Sequence, residues 1–583
     1  MSHIWLNGIA VTNYRSFGKR QFFQFPSSEY GKPVAIIGYN NVGKSNLLKA
    51  ILYGIGESYI NSKTFTDLDH HNLDANNNIE IISSIDASDY APENVFGKQT
   101  IAGRYTITSA LIENEIKTVC SPTFFGKNKH YNIFYVNFHN IKDEITTQKT
   151  GWGNLKSFLG KHIRKLIDLD EVMREKKEGF QEEVKASTYE VLRDSQLQSF
   201  INSIERNYQQ NLRNTGCIVD FGLPHYEDIF LKMLFKIGLN GNGDNLMPIE
   251  HFGDGFISMF VMAVIQAIAE SNTEDRGLFL FEEPESFLHE NHQEYFYKAV
   301  LCRLAERGHQ LIYTTHSDRM IDAFDTQGVI RLELDEQHRT VKKYNNVNSE
   351  VYPLDVLANR AEPVNIQRYN EYIKTVEPNL NRMLFSKKVL LVEGPNDVMV
   401  YKEIIRQKVW SAIQNREDII NPEKFAETYL NYENISFICH HGKTTALYII
   451  ELCKHFNIDY FVITDWDFHA DELSFEDVVS FTTLADLHGS DLYIASNNKR
   501  DITNNWNLKN SAGIENIHFN TKRLEEVIGY DHNDKNSFKI WNHITADEFE
   551  ISDRLFPESL ESFLKIREQG RIIDINEDDG LPF

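Results

Sequence analysis

"VAIIGYNNVGKSNLLKAILYGI", residues 34–55, decides how the first half of the chain folds. An apolar run, Val34 to Ile37, gives way to Gly38-Tyr39-Asn40-Asn41-Val42-Gly43-Lys44-Ser45, a GxxxxGK[ST] loop, and then to apolar residues at helical spacing. The order predicts strand, glycine loop and helix. Gly38 and Gly43 let backbone N–H groups turn toward a phosphate, and the following helix adds its positive N-terminal end. In such a loop Lys44 is expected to reach the β- and γ-phosphates of ATP and Ser45 to ligate Mg²⁺. Asn40, Asn41 and Asn46 are counted with them as nucleotide-binding candidates. A fortuitous glycine turn is the bland alternative, and the flanking strand and helix argue against it.

Two later stretches carry the partners such a loop needs. "GLFLFEEPES", 277–286, is an apolar strand, Leu278 to Phe281, ending in Glu282-Glu283. Glu282 is expected to hold Mg²⁺ through water and Glu283 to orient or deprotonate the attacking water. "LIYTTHSDRMID", 311–322, is a further apolar strand, followed by His316, a candidate contact for the γ-phosphate.

The second half repeats the logic with different chemistry. "KVLLVEGPNDVMVYKEII", 388–405, reads as a strand ending in Glu393-Gly394, then a helix from about Pro395, a favourable first-turn residue. Asp397 lies four residues beyond Glu393. "ISFICHHGKTTALYIIELCKHF", 435–456, reads strand, glycine turn, helix, and "YFVITDWDFHA", 460–470, is a strand ending in Asp465 and Asp467. Strand alternation would turn both acids to one side. Two close carboxylates raise each other's pKa unless a cation sits between them; two solvated acids at a turn are the plain alternative. Alternating strands and helices predict a parallel sheet with its site at the carboxyl ends of the strands.

Composition bounds the rest. The chain has 583 residues, 41% hydrophobic and 25% charged, with net charge −24 and a pI near 5.4. That is ordinary for a globular protein of several domains. The acidic sum does not exclude nucleic-acid binding, which depends on a local basic face. Cys120, Cys217, Cys302, Cys439 and Cys453 are scattered and odd in number, without CxxC, which speaks for a reducing compartment. "MSHIWLNGIAVTNYRSF" shows no signal-peptide pattern, and the apolar run "MFVMAVIQAIA", 259–269, is too short to span a bilayer, so a cytoplasmic protein is expected and a membrane transporter is not. Residues 155–213 read as two or three charged amphipathic helices. "NTEDRG", 272–277, reads as a turn, and "NNVNSEVYP" and "AEPVN" as breakers before a boundary near 385.

The order of the loop at 38–45, "HFGDGF" (251–256), "FLFEEPESFLHE" (279–290) and "TTHS" (314–317) resembles the ABC-type ATPase heads of the SMC, Rad50 and RecF group. "IAVTNYRSF", 9–17, resembles that group's first strand, in which Arg15 approaches the nucleotide. "HFGDGF" stands where the signature motif LSGGQ does, so the resemblance points to Gly253, Asp254 and Gly255 for the opposing nucleotide. Leu288-His289 departs from the usual Leu-Asp of the D-loop. Heads of this group sandwich ATP, which implies a homodimer or higher homo-oligomer; the apolar stripe of 155–213 would pack on its own ATPase core or on a second subunit, and the resemblance favours the second, a dimerisation role.

Strand-Glu-Gly followed by strand-Asp-x-Asp resembles the Toprim domain. An ABC-type head followed by Toprim in one chain resembles the OLD (overcoming lysogenization defect) endonucleases, to which the Gabija nuclease subunit is related. The implied fold is α/β: an SMC/RecF-like head (1–154 and 214–350) interrupted by a helical insertion (155–213), a linker (351–385) and a Rossmann-like Toprim domain (386–583). The implied activity is Mg²⁺- or Mn²⁺-dependent DNA cleavage by Glu393, Asp397, Asp465 and Asp467 under ATP control, in anti-phage defence, with a protein or nucleic-acid partner in some members. Glu525 is a further candidate metal ligand, and Glu525-Glu526 read equally well as the charged first turn of a helix. Lys499, Lys509 and Lys522 are equal candidates for a lysine at the scissile phosphate. Lys443 reads as a turn cap; His440, His441 and His469 read as packing or surface residues before metal neighbours. The competing reading is a non-cutting, ATP-driven DNA clamp of the SMC/RecF type.

Overall fold

The computed structural model describes residues 5–55, 64–86, 103–112, 115–121, 132–141, 170–193, 195–212, 236–237, 246–271, 276–348, 365–469, 471–530 and 536–569. They form two compact units. The first comprises Met1–Ile36, Gly43–Met320 and Glu336–Thr340; the second comprises Ile37–Val42, Ile321–Asp335 and Val341–Phe583.

In the first unit, β1 (Trp5–Thr12), β2 (Gln21–Gln24), β4 (Ile79–Asp86), β5 (Gly103–Ile112) and β6 (Glu115–Ser121) make an antiparallel sheet in the order β2-β1-β4-β5-β6. β4 alternates buried and half-buried residues, the pattern of a sheet with one packed face. β3 (Val34–Ile37), β11 (Gln310–Thr314), β10 (Gly277–Glu282) and β7 (Asn132–Asn137) lie side by side in that order, all parallel. Every residue of β3, β10 and β11 is buried. A strand covered on both faces needs apolar side chains at every position, which is why these three read as continuous apolar runs. Helix α1 (Lys44–Ile55) buries Leu47, Leu48, Ile51 and Leu52. The parallel strands β3, β11 and β10 end at one edge, so Lys44, Glu283 and Glu285 are neighbours.

Helices α2 (Glu171–Leu192) and α3 (Gln196–Leu212) fall in the stretch read as a helical insertion, whose residues 155–169 lie outside the described ones. A two-residue ladder, β8 (Lys236–Ile237) with β9 (Met247–Pro248), precedes α4 (Asp254–Ser271). Most of the turn expected at 272–277 and the breakers at 349–364 also lie outside the described residues.

The second unit is built on a parallel sheet of order β15-β14-β16-β17: β14 (Lys388–Val392), β15 (Ile435–Cys439), β16 (Asp459–Asp465) and β17 (Ile517–Asn520). Its core joins Leu390, Val392, Phe461 and Ile463 to Val400, Tyr401 and Ile404 of the helix Pro395–Ile413. Part of the stretch read as a linker is helical: α5 (Ile366–Val376) is capped by the Asn365 side chain, which accepts from Arg368 N. The breakers around it hide a helix that buries Ile373 and exposes most of its other residues.

β12 (Val329–Leu334) and β13 (Thr340–Asn345) are neighbouring strands. On β12, Arg331 is 2% exposed. Its guanidinium donates to the carbonyls of Ser386 (2.7 Å), Phe456 (3.3 Å) and Asn457 (3.3 Å) and pairs with Glu333 at 2.7 Å. Burying the charge is tolerable because all these acceptors meet it. Arg331→Met is expected to destabilise the second unit by about 3 kcal/mol, the lower end for a broken buried pair because Glu333 keeps some solvent. Urea unfolding read by a probe in this unit measures it.

Candidate functional site

The first cluster forms at the carboxyl ends of β3, β10 and β11. Gly38 and Gly43 have φ of +148° and +92°, a region closed to ordinary side chains, so the loop is feasible only with glycine there. A Cβ at Gly43 would collide with the hydroxyls of Thr340 and Ser16. Tyr39, Asn40 and Asn41 are exposed, Lys44 is buried, and Ser45 and Asn46 are half-buried at the start of α1. Burial pushes the Lys44 ammonium down to about 8, against the opposing pull of Glu283 and Glu285. A bound phosphate would supply the missing negative charge.

Arg15, at φ +51°, forms an ion pair with Asp69 at 2.9 Å and donates to Asn46 Oδ1 at 3.3 Å; Asn46 in turn donates to Ser16 Oγ at 2.9 Å. Arg15 is thereby held beside the first turn of α1. Asp69 was not singled out from the sequence, since nothing in "TDLDHHN" marks one acid over another.

Glu282, the last residue of β10, is buried and accepts from Tyr135 Oη at 2.5 Å. Glu283 follows at φ +47°, a costly conformation for a non-glycine residue, of order 1–3 kcal/mol. Its amide donates to Thr314 O and Oγ1, which fixes the turn. The carboxylate lies between two imidazoles, His139 Nε2 at 2.6 Å and His316 Nε2 at 3.1 Å. The hydrogen bond from His316, the charges of both imidazoles and the bond from His139 outweigh burial and hold it below the usual carboxylate range. Glu285, also missed from the sequence, is buried and accepts from Thr315 Oγ1 and His316 N, each at 2.7 Å. Gly253 and Gly255 open α4, where a Cβ on Gly255 would press on the Phe287 carbonyl. The contact expected of them is with the nucleotide of a second copy.

The second cluster forms at the carboxyl ends of β14 and β16. Glu393 follows β14, and its Oε2 lies 3.4 Å from both Thr464 Oγ1 and the Asp465 amide. Asp465 closes β16 and accepts from Leu524 N at 3.0 Å and Asn520 Nδ2 at 3.4 Å. Burial, then the charges of Glu393, Asp397 and Asp467, push Asp465 up to about 8. Burial, then Glu393, push Asp397 up to about 7; one of its oxygens accepts from Gly394 N and the other, Oδ1, is buried without a hydrogen-bond partner. Glu525 is 6% exposed, close enough to raise Asp397, and sits in the first turn of the helix Leu524–Val527.

Asp467 is placed differently from the alternation argument. β16 ends at Asp465, and Asp467 takes φ +69° with its side chain 38% exposed, pairing with Lys443. Lys443, read as a turn cap, is the first residue of the helix Lys443–His455, whose cap position is Gly442, and its ammonium reaches across to Asp467. Lys522 contacts His469 and lies 3.4 Å from Glu526, and its carbonyl accepts from the Asp467 amide. Lys499 instead stacks over Tyr493 and Lys509 donates to Val479 O. His440 is wholly buried, which pushes its imidazole down to about 4.

An acidic cluster with an orphaned buried oxygen and hard oxygen donors fits a divalent cation, with Glu393, Asp397, Asp465 and Glu525 as the residues to hold it. The raised carboxyl groups give a sign for pH dependence. Because Asp397 and Asp465 hold protons more tightly folded than unfolded, their stabilising contribution is complete at acid pH and is lost as pH rises through about 7 and about 8. The metal-free protein is expected to lose a few degrees of Tm between the ordinary carboxyl value of 3.8 and about pH 8 by scanning calorimetry. Added Mg²⁺, which favours the ionised carboxylates, is expected to remove the loss.

A phosphate loop with an acid–histidine cluster, joined in one chain to a parallel sheet bearing convergent carboxylates, defines a class: an enzyme combining an ATPase domain with a TOPRIM domain. Residues 127–321 match the AAA ATPase domain family, and residues 384–467 match the TOPRIM domain of overcoming lysogenization defect protein-like proteins. The chain is 23% identical to the OLD nuclease of Thermus scotoductus, over 86% of this chain and 89% of that one. It is 22% identical to the endonuclease GajA of Bacillus cereus (68% and 67%) and to the Old nuclease of Escherichia phage P2 (79% and 77%). Among solved structures, the SMC head domain from Thermotoga maritima is similar at a TM-score of 0.29 and 13% identity, covering 58% of this chain and 97% of that one. Among the described residues, no helix is long and apolar enough to cross a membrane.

Proposed function

We propose that the chain is an ATP-regulated, metal-dependent DNA endonuclease, cytoplasmic and homo-oligomeric, acting in anti-phage defence. The observation that carries this reading is the convergence of Glu393 and Asp465, at the ends of adjacent strands, with Asp397 in the first turn of the helix Pro395–Ile413, two of the three held above the ordinary carboxylate range. Mg²⁺ or Mn²⁺ bound by these acids would polarise a phosphodiester and lower the pKa of a coordinated water. Around that centre, Lys443 and Lys522 supply positive charge for the phosphate, and Asn520 and the Leu524 amide fix the Asp465 carboxylate. In the other cluster Lys44 and Arg15 bind ATP, Glu282 and Ser45 hold its Mg²⁺, and Glu283 orients the attacking water. The domain limits 1–154, 214–350 and 386–583, the linker and the dimerisation role for 155–213 belong to the same reading. Sequence similarity over most of the chain to proteins named as nucleases supports it.

The test is cleavage of supercoiled plasmid by the purified chain with Mg²⁺ or Mn²⁺, with and without ATP, beside Asp465→Asn and Lys44→Ala. Cutting by wild type that Asp465→Asn lacks supports the endonuclease. ATP hydrolysis with tight DNA binding and no nicking would favour a clamp.

A further inference from the structure

Glu377 poses a problem that the carboxylate cluster does not solve. It follows α5, its carboxylate is nearly inaccessible at 6% exposure, and it has no lysine or arginine partner among the described residues. One oxygen accepts from Asn379 N and the other from Cys439 N, each at 3.0 Å. A buried carboxylate is costly unless a cation meets it. Only His441 approaches, with Nε2 3.8 Å from Oε2, and the Cys439 thiol completes the group, with one ligand atom from each residue within 4.8 Å of the others. The three come from separate elements: the end of α5, the last residue of β15, and the turn that follows it.

We propose that Glu377, Cys439 and His441 bind one zinc-class divalent cation at a site separate from the Glu393–Asp465 cluster. The donor set decides the ion. Thiolate and imidazole select Zn²⁺ over Mg²⁺, whereas the other cluster offers only oxygens. Bond lengths of about 2.0–2.3 Å around a tetrahedral ion put ligand atoms roughly 3.3–3.8 Å apart, so the present group needs only a small contraction. The thiol proton leaves to solvent on binding, and a water completes the fourth position on the open His441 side. Location gives the site its use. Cys439 is in register with Val392, the residue before Glu393, and the His441 amide donates to the Glu393 carbonyl at 3.2 Å. The same turn leads to Lys443, which pairs with Asp467. A cation held here would therefore fix the turn that supports the Glu393 site. The binding claim stands whether or not that site cuts DNA.

Cobalt reports it, because a thiolate ligand gives a charge-transfer band and tetrahedral geometry gives intense visible bands. The full chain is dialysed metal-free and titrated with Co²⁺. Wild type and Asp465→Asn are expected to show both sets of bands at one equivalent, with Zn²⁺ but not excess Mg²⁺ erasing them. Cys439→Ser is expected to lose the charge-transfer band, and His441→Asn to weaken cobalt binding at least about tenfold. Circular dichroism checks that both variants are folded. Absence of a thiolate band in wild type, or its survival in folded Cys439→Ser, overturns the proposal. Loss of the bands in Asp465→Asn would also overturn it, by placing the cobalt in the other cluster.

Discussion

Asp465→Asn is expected to lower DNA cleavage at least about 100-fold, more than loss of a group merely supporting a metal ligand would, while leaving ATP hydrolysis unchanged. The argument rests on what holds the Asp465 carboxylate. It lies at a strand end among Glu393, Asp397 and Asp467, and both Leu524 N and Asn520 Nδ2 aim at one of its oxygens. That leaves the other oxygen for a cation. Asparagine keeps the shape but removes the charge that would bind the metal. It also removes a like-charge neighbour, so the metal-free variant should be at least as thermally stable as wild type. That separates loss of chemistry from loss of fold. Plasmid nicking followed on gels, with phosphate release measured in parallel, decides it. Cleavage that persists in the variant would move the site elsewhere.

Glu283→Gln is expected to slow ATP hydrolysis by about 10²–10⁴-fold, the usual contribution of a positioned general base, with nucleotide binding retained. Glu283 occupies a strained backbone position and lies between His139 and His316, which keep it ionised. Glutamine fills the same space but accepts no proton. Lys44 and the glycine loop are untouched, so ATP should accumulate on the protein, as equilibrium binding with a fluorescent analogue would register. Phosphate release at the wild-type rate would assign the base role to another residue, such as Glu285, whose carboxylate accepts from His316 N. The same variant held in its ATP-bound state gives the sign of ATP's effect on cleavage.

The parallel strands and the residues at their ends were legible because burial on both faces forces continuous apolar runs, and a change to Gly, Glu or Asp marks where each run stops. What the chain hides is what register brings together. His139 reaches Glu283 across 144 residues only because β7 pairs with β10, setting Asn137 opposite Glu282. Asp69 meets Arg15 through a loop with no periodic signal. The outward turn of Asp467 escaped the alternation argument because alternation holds only while the strand lasts. Lys443 read as a turn cap; it is instead the first residue of a helix, and its link to Asp467 depends on a neighbouring strand rather than on its own sequence.

The division of the chain has a practical consequence for dissecting it. The compact units are discontinuous in sequence: residues 37–42 and 321–335 group with the C-terminal part. There a Cβ on Gly38 would strike the Leu332 carbonyl, and the preceding residue, Arg331, is buried against three carbonyls from 386–457. A fragment beginning at residue 386 would leave those carbonyls without their cation and the surface that receives β12 bare. Truncation is thus a poor way to separate nucleotide handling from strand cutting in this protein. Point substitutions in the intact chain are the sound instrument, because the front of the phosphate loop is carried by the same body as the second carboxylate cluster.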